Sequence, residues 1–237
     1  MKRFPFLHRK REKPPLERFS SLSADAGRSV PEEPLENTEA VVRECRNRSA
    51  SLRSYRTEIV ILDKSSPPVM EGPVRYTLET VRPDRFHVLQ VGWMDKREVY
   101  DEWITIGEDH FDNVGVWGRG LILQRKELNP RLAIESFLSM LESVQAPDST
   151  AYVLDGHRFV RLDSEQVPPT LEQDMNPSEM STILWVDGEN WLPAKVEASG
   201  VFRDDDGLAR LEFEQVFFDF DANISIAAPE VGLDTPQ

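Results

Sequence analysis

A chain of 237 residues, 39% hydrophobic with a mean hydropathy of −0.46, suffices for one generous domain or two small ones, and it holds no apolar run long enough for a membrane span. The formal net charge of −14 is unevenly placed: residues 1–20 carry seven Lys/Arg against Glu12 and Glu17, a net +5 that leaves −19 on the remainder, so the body lacks the clustered cations that hold a nucleic-acid backbone. Cys45 is the only cysteine, which excludes internal disulfides and a cysteine zinc site.

Residues 1–34 mix Pro5, Pro14, Pro15, Pro31 and Pro34 with charges and serines and bury too little to offset the entropy of ordering. They read as a disordered basic leader, either a solvated tail or a peripheral contact for an anionic membrane surface. Met1–Leu7 begins like a secretory n-region, but His8-Arg9-Lys10-Arg11-Glu12-Lys13 stands where an apolar h-region would have to be. Val42-Arg43-Glu44-Cys45 lacks the small apolar residues of a lipid-attachment box. Neither signal peptide nor lipid box is expected. Residues 35–230 are read as a single domain and 231–237 as a tail. A helix is expected from Asn37 or Thr38 through Leu52, with Val41, Cys45 and Leu52 along one face.

From Ser54 to Trp117 the pattern is that of an antiparallel meander. Val74, Tyr76 and Leu78 alternate with Arg75, Thr77 and Glu79, the period of two of a half-buried strand. Before it, Tyr55 to Leu62 is β-branched and ends in Lys64-Ser65-Ser66-Pro67-Pro68. After it, Arg82-Pro83-Asp84 predicts a turn, then strands at Arg85–Val91, Glu98–Ile106 and His110–Val114, with a hairpin at Gly107-Glu108-Asp109. The glycine-dense run 115–120 is neither G-x-G-x-x-G nor a P-loop, and reads as a loop or bulged strand end.

Asn129 and Pro130 predict the N-cap and first residue of a helix that buries Ala133, Phe137, Met140, Leu141 and Val144 and ends before Pro147. Strands at Thr150–Leu154 and His157–Leu162 flank Asp155-Gly156. Ser181–Val186 and Trp191–Ala198 follow, joined by Asp187-Gly188-Glu189-Asn190, with Pro193 marking an edge or a bulge. Ala209–Phe218 is a long strand, and Asn223–Ile226 a short final one.

Chemical signatures are sparse. Asp204, Asp205 and Asp206 suggest calcium oxygen ligands, but their spacing fits no EF-hand loop and consecutive aspartates in a turn are ordinarily solvated. The four histidines stand apart. Asp109, His110 and Asp112 place carboxylates beside an imidazole, yet 109 and 110 point to opposite faces of a strand. There is no G-x-S-x-G elbow, and Cys45 has no histidine partner in view. No catalytic residue, metal site or cofactor is expected, so the chain reads as a non-enzyme.

Apolar residues fall on both faces of several strands: Phe86 and Val88 oppose Leu89 and Val91, while Val99 and Trp103 oppose Tyr100, Ile104 and Ile106. Leaving either set in water would cost about 25 cal/mol per Å². Both faces are therefore partly covered. One arrangement is a strongly curved antiparallel sheet, mainly β with some α, whose concave side holds helices and an apolar cavity; the other is an ordinary two-layer core. For the cavity, the candidate lining residues are Tyr76, Leu78, Phe86, Val88, Trp103, Phe111, Trp117, Trp185 and Phe213.

The order of elements carries a resemblance. Leu52-Arg53-Ser54-Tyr55-Arg56, Val81-Arg82-Pro83-Asp84-Arg85-Phe86, Glu102-Trp103-Ile104-Thr105-Ile106-Gly107 and Val114-Gly115-Val116-Trp117 are followed by a helix. Then come Leu154-Asp155-Gly156-His157, Leu184-Trp185-Val186-Asp187 and Leu192-Pro193-Ala194-Lys195-Val196-Glu197. Over roughly residues 37–229 this run resembles the LolA-like lipoprotein-carrier superfamily. The resemblance implies a half β-barrel of about ten strands around helices, a hydrophobic cavity without catalysis, and a cell-envelope location. It implies a carrier or binding domain for a lipid, an acylated protein or another apolar ligand. The alternative within the same fold is a regulatory sensor or protein-interaction domain of the RseB kind.

Overall fold

The computed structural model describes residues 37–231 apart from 67, 69, 114–115, 120–122, 145–149, 155–156, 167, 169–175 and 205–206. The expected leader, the Asp155-Gly156 turn, the centre of the aspartate run and most of the C-terminal tail lie outside the described residues. Eleven strands form one sheet: β1 Ser54–Asp63, β2 Val74–Val81, β3 Arg85–Met94, β4 Arg97–Ile106, β5 Asp109–Asn113, β6 Trp117–Arg119, β7 Thr150–Leu154, β8 His157–Ser164, β9 Asn176–Asp187, β10 Pro193–Asp204 and β11 Gly207–Phe218. Their order is β6-β5-β4-β3-β2-β1-β11-β10-β9-β8-β7, with every pair antiparallel. Two meanders thus join where the first and last strands pair, Arg56 opposite Phe218 through Asp63 opposite Leu211. The order ends on β6 and β7, so the sheet is an open half-barrel.

Register sorts the side chains. Thr57, Leu78, Val88, Trp103 and Asp112 stand in one row across β1 to β5, while Gln215, Val196, Leu184 and Leu162 continue that face across β11 to β8. A slip of one residue would turn each strand's apolar set outward, so the large apolar cluster on this face fixes the register. Pro193 opens a strand in the middle of the sheet, not at an edge. A register shift between Pro193 and Lys195 accommodates its missing N–H, the bulge alternative of the sequence reading.

Three helices cover that face. In α1, Thr38–Ser51, Asn37 accepts from Ala40 N–H at 3.0 Å, and Thr38, Val41, Cys45 and Ser49 are the buried stripe. Burial pushes the Cys45 thiol up to about 12, as expected of a small hydrophobe in a core. The second expected helix is two. α2 runs Leu123–Leu132 with Pro130 inside it, and α3 runs Ile134–Met140, continued by a 3₁₀ turn at Leu141–Ser143; Val144 bridges to Ser164. Asn129 is not a cap, because Ala133 has extended backbone and breaks the helix there. The sheet satisfies the break: Tyr55 Oη accepts from Ile134 N–H at 3.0 Å, and Gln215 Nε2 donates to Leu132 O at 2.9 Å.

Among the described residues the opposite face carries no helix. Phe159, Trp185 and Ala194 form one small apolar cluster there, and Ile104, Phe111 and Ile226 form another. The expected strand at Asn223–Ile226 is instead a non-strand strap. Its Ile224 and Ile226 pack on Ile104, Ile106, Phe111, Trp117 and Val81, while Arg85 Nη1 donates to Ile226 O at 3.2 Å. The apolar pattern at 224 and 226 marked burial but not a ladder partner.

Candidate functional site: a cleft beside the first helix

α1 turns Val41 and Cys45 toward the sheet and its flank toward the segment after α3. Between them lies a cleft of about 440 Å³. Thr38, Glu39, Val42, Arg43, Arg46 and Asn47 line it from α1, positions that recur along almost three helical turns. Leu141, Glu142 and Val144 form the other wall. Its apolar lining is continuous with the interior: Leu141 belongs to the main cluster, and Val42 and Val144 pack against it. Arg46 Nη2 stands 3.4 Å from Glu142 Oε1, whereas Arg46 Nε is buried with no hydrogen-bond partner among the described residues. Arg43 and Arg46 stand off the apolar face that the sequence pattern marks on α1. Their spacing of three, beside Val42, was the available signal.

The nine residues proposed from the strand pattern divide between the faces. Leu78, Val88, Trp103 and Phe213 are buried in the main cluster under the helices, with Tyr76 and Phe86 packed against it. Phe111 and Trp117 sit under the C-terminal strap on the opposite face, and Trp185 lies on that face too, its ring edge-on to Tyr152 at 5.5 Å.

His110 and Asp112 do meet, since residues two apart share a strand face, and Nε2 to Oδ1 is 3.2 Å. Asp109 points the other way and pairs with Arg119. A single donor direction runs through five buried side chains. Trp103 Nε1–H donates to Asn129 Oδ1 (2.9 Å) and Asn129 Nδ2 to Thr105 Oγ1 (2.9 Å); Thr105 O–H then donates to His110 Nδ1 (3.0 Å), and His110 Nε2–H to Asp112. The atom order is that of a carboxylate–imidazole–hydroxyl relay. None of the five residues lines the cleft, and the chain's evident work is to hold α2 to β4 and β5.

On the other face a ladder of charges crosses the strands. Asp219 pairs with Arg56; Arg56 Nε donates to Glu79 at 2.8 Å; His87 lies 3.6 Å from Glu79 and 2.8 Å from Glu102; Asn113 donates to Glu102 at 3.0 Å. Burial alone would lower the His87 pKa, but hydrogen bonds to Glu102 and Glu79 and their charges raise it to about 9. Burial opposes the ionised form of Glu79, yet bonds from His87 and Arg56 hold it below the usual carboxylate range. Further along this face Lys195, fully buried, lies between Glu197 and Glu214. Among the described residues no group of three or more His, Cys, Asp or Glu is placed to hold a metal, and no helix is long and apolar enough to cross a membrane.

An open antiparallel sheet carrying its helices on one face is the half-barrel that the order of elements implied. Among solved structures the chain is similar to LprF from Mycobacterium bovis, at 11% identity over 85% of this chain and 100% of that one, with a TM-score of 0.51. It is also similar to the Mycobacterium tuberculosis lipoprotein LppX (11% identity, 80% and 98% covered, TM-score 0.45) and to a LolA superfamily protein from Nitrosomonas europaea (13%, 81% and 96%, 0.32). At such identities the LprF likeness speaks for the fold alone. No known sequence family and no curated relative matches the chain.

Proposed function

We propose that this chain is a non-enzymatic binding or carrier domain for a lipid, an acylated protein or another apolar ligand. The observation that carries the reading is the cleft beside α1, whose volume falls in the range of small-molecule sites and whose apolar floor is continuous with the core between helices and sheet. In this reading the ligand's apolar part enters along Val42, Leu141 and Val144. Through Leu141 that lining joins the buried cluster that holds Leu78, Val88, Trp103 and Phe213, with Tyr76 and Phe86 packed against it. The half-barrel fold supports the reading, and so does the engagement of the buried polar chain in holding α2. An extracytoplasmic location and a peripheral membrane contact through the basic leader complete the proposal.

Native mass spectrometry of the purified chain tests it, followed by delipidation and uptake of a fluorescent fatty-acyl probe. Co-purifying lipid and saturable uptake, weakened at least tenfold by Val42→Asp, are the expected results. No adduct and no uptake would overturn it, and a lipid-free chain that captures a specific protein would favour the regulatory reading.

A further inference from the structure

The cleft beside α1 is amphipathic in a particular way. Its apolar floor is framed by two guanidiniums, Arg43 and Arg46, and two carboxylates, Glu39 and Glu142, so the charged lining sums to zero. Arg43 and Arg46 are neighbours on the helix surface, as are Glu39 and Arg43, at the (i, i+3) and (i, i+4) spacings that bring side chains together. Two of these groups already touch, but weakly. The 3.4 Å between Arg46 and Glu142 is longer than a charge-assisted hydrogen bond, and side-chain exposures of 41% and 66% leave the pair little energy to defend. Arg46 retains a buried Nε–H without an acceptor, and Arg43 reaches out from the rim.

We propose that the cleft recognises a zwitterionic amphiphile with a phosphodiester and a primary ammonium in one head, the phosphoethanolamine class. This deepens, and rests on, the apolar-ligand reading above. The phosphodiester oxygens accept from the outer N–H groups of the Arg46 and Arg43 guanidiniums, whose planar fork suits phosphate. The ammonium donates to Glu142 and Glu39, replacing the existing ion pair with two better ones. The acyl chain lies on Val42, Leu141 and Val144. A purely anionic head fits less well, because it leaves both carboxylates unanswered and must approach a chain of net charge −14. A quaternary ammonium fits less well too, since such groups are recognised by aromatic faces and, among the described residues, no aromatic side chain lines this cleft.

The test uses the delipidated full chain and four probes that share one lauroyl chain: lysophosphatidylethanolamine, lysophosphatidylcholine, lysophosphatidic acid and methyl laurate. Titration calorimetry is run below their micelle concentrations. The expected order puts the ethanolamine head at least tenfold tighter than methyl laurate and severalfold tighter than the other two heads. Arg43→Gln and Glu142→Gln, both on exposed side chains, are expected to bring it to the methyl laurate level. Methyl laurate binding as tightly as the rest overturns the head-group proposal and leaves the apolar-ligand reading standing. Tightest binding of lysophosphatidic acid overturns the zwitterion, tightest binding of the choline head overturns the primary ammonium, and no binding of any probe overturns both readings.

Discussion

Under the helices, the row Leu78, Val88, Trp103 meets water nowhere, and even its polar neighbours Thr105, His110 and Asn129 bond to one another rather than to solvent. On the other face of the same strands, the row Asp219, Arg56, Glu79, His87, Glu102, Asn113 is held by ion pairs that remain within reach of solvent. One face is therefore stabilised chiefly by area removed from water and by buried hydrogen bonds. The opposite face depends on which groups are ionised.

The largest expected effect comes from breaking the covered face. Trp103→Ala removes a fully buried indole and strands Asn129 Oδ1, so a loss of about 3–5 kcal/mol in urea unfolding is expected. Tyr100→Ala, one pleat away on the outer face and 57% exposed, is expected to stay within about 0.5 kcal/mol. Equal losses at the two positions would dissolve the contrast between the faces.

Next in size is Lys195→Met. Glu197 and Glu214 are direct cross-strand partners, and like charges opposite one another are tolerable here because Lys195 Nζ lies within ion-pair distance of both. Removing the cation is expected to cost about 2–3 kcal/mol at neutral pH, below the value for a fully buried pair since Glu214 is partly exposed. Adding Glu197→Gln should restore most of the loss. A double variant no better than the single one would show that Lys195 acts through packing instead.

Smaller again is the contribution of His87. Its folded pKa of about 9 lies above the unfolded value of about 6.5, so the stability it confers is complete below about 6.5 and is lost as pH rises through 9. The loss should be about 2 kcal/mol after allowance for partial exposure and coupling to Glu79 and Glu102. His87→Gln should flatten that descent. A wild-type chain equally stable at pH 6 and pH 9.5 would refute the ladder's role.

Alternation made the faces legible: Val74, Tyr76 and Leu78 against Arg75, Thr77 and Glu79, with apolar residues on both sides of β3 and β4, implied two partly covered faces, and it took the order of elements to favour a curved sheet over an ordinary two-layer core. Alternation puts Lys195 on the face opposite Val196 but does not reveal that it is buried, because its two carboxylates come one from its own strand and one from β11. Asn129 carried every local sign of an N-cap. Its carboxamide instead answers Trp103 and Thr105, two strand residues more than twenty positions away, and tertiary hydrogen bonds outweighed the local preference. The cleft was illegible for a similar reason: α1 and Leu141–Val144 are about a hundred residues apart, and only the half-barrel brings them together.

The smallest effect belongs to neither face and sets the baseline for the others. β3 and β4 are joined through Asp95 and Lys96, both at positive φ (51° and 59°), the geometry of a two-residue type I′ turn. Asp95-Lys96 carries no glycine to mark the turn, so the expected strands Arg85–Val91 and Glu98–Ile106 stop short of the hairpin. Lys96→Gly relieves a left-handed side-chain conformation while keeping the backbone N–H that donates to Glu71 at 3.0 Å. A gain of about 0.5–1 kcal/mol is expected, unchanged between pH 6 and pH 9.5 because no partner of the ladder is touched. A gain that varied with pH would mean that the hairpin tip and the His87 ladder are coupled, and the two faces would then have to be treated as one system.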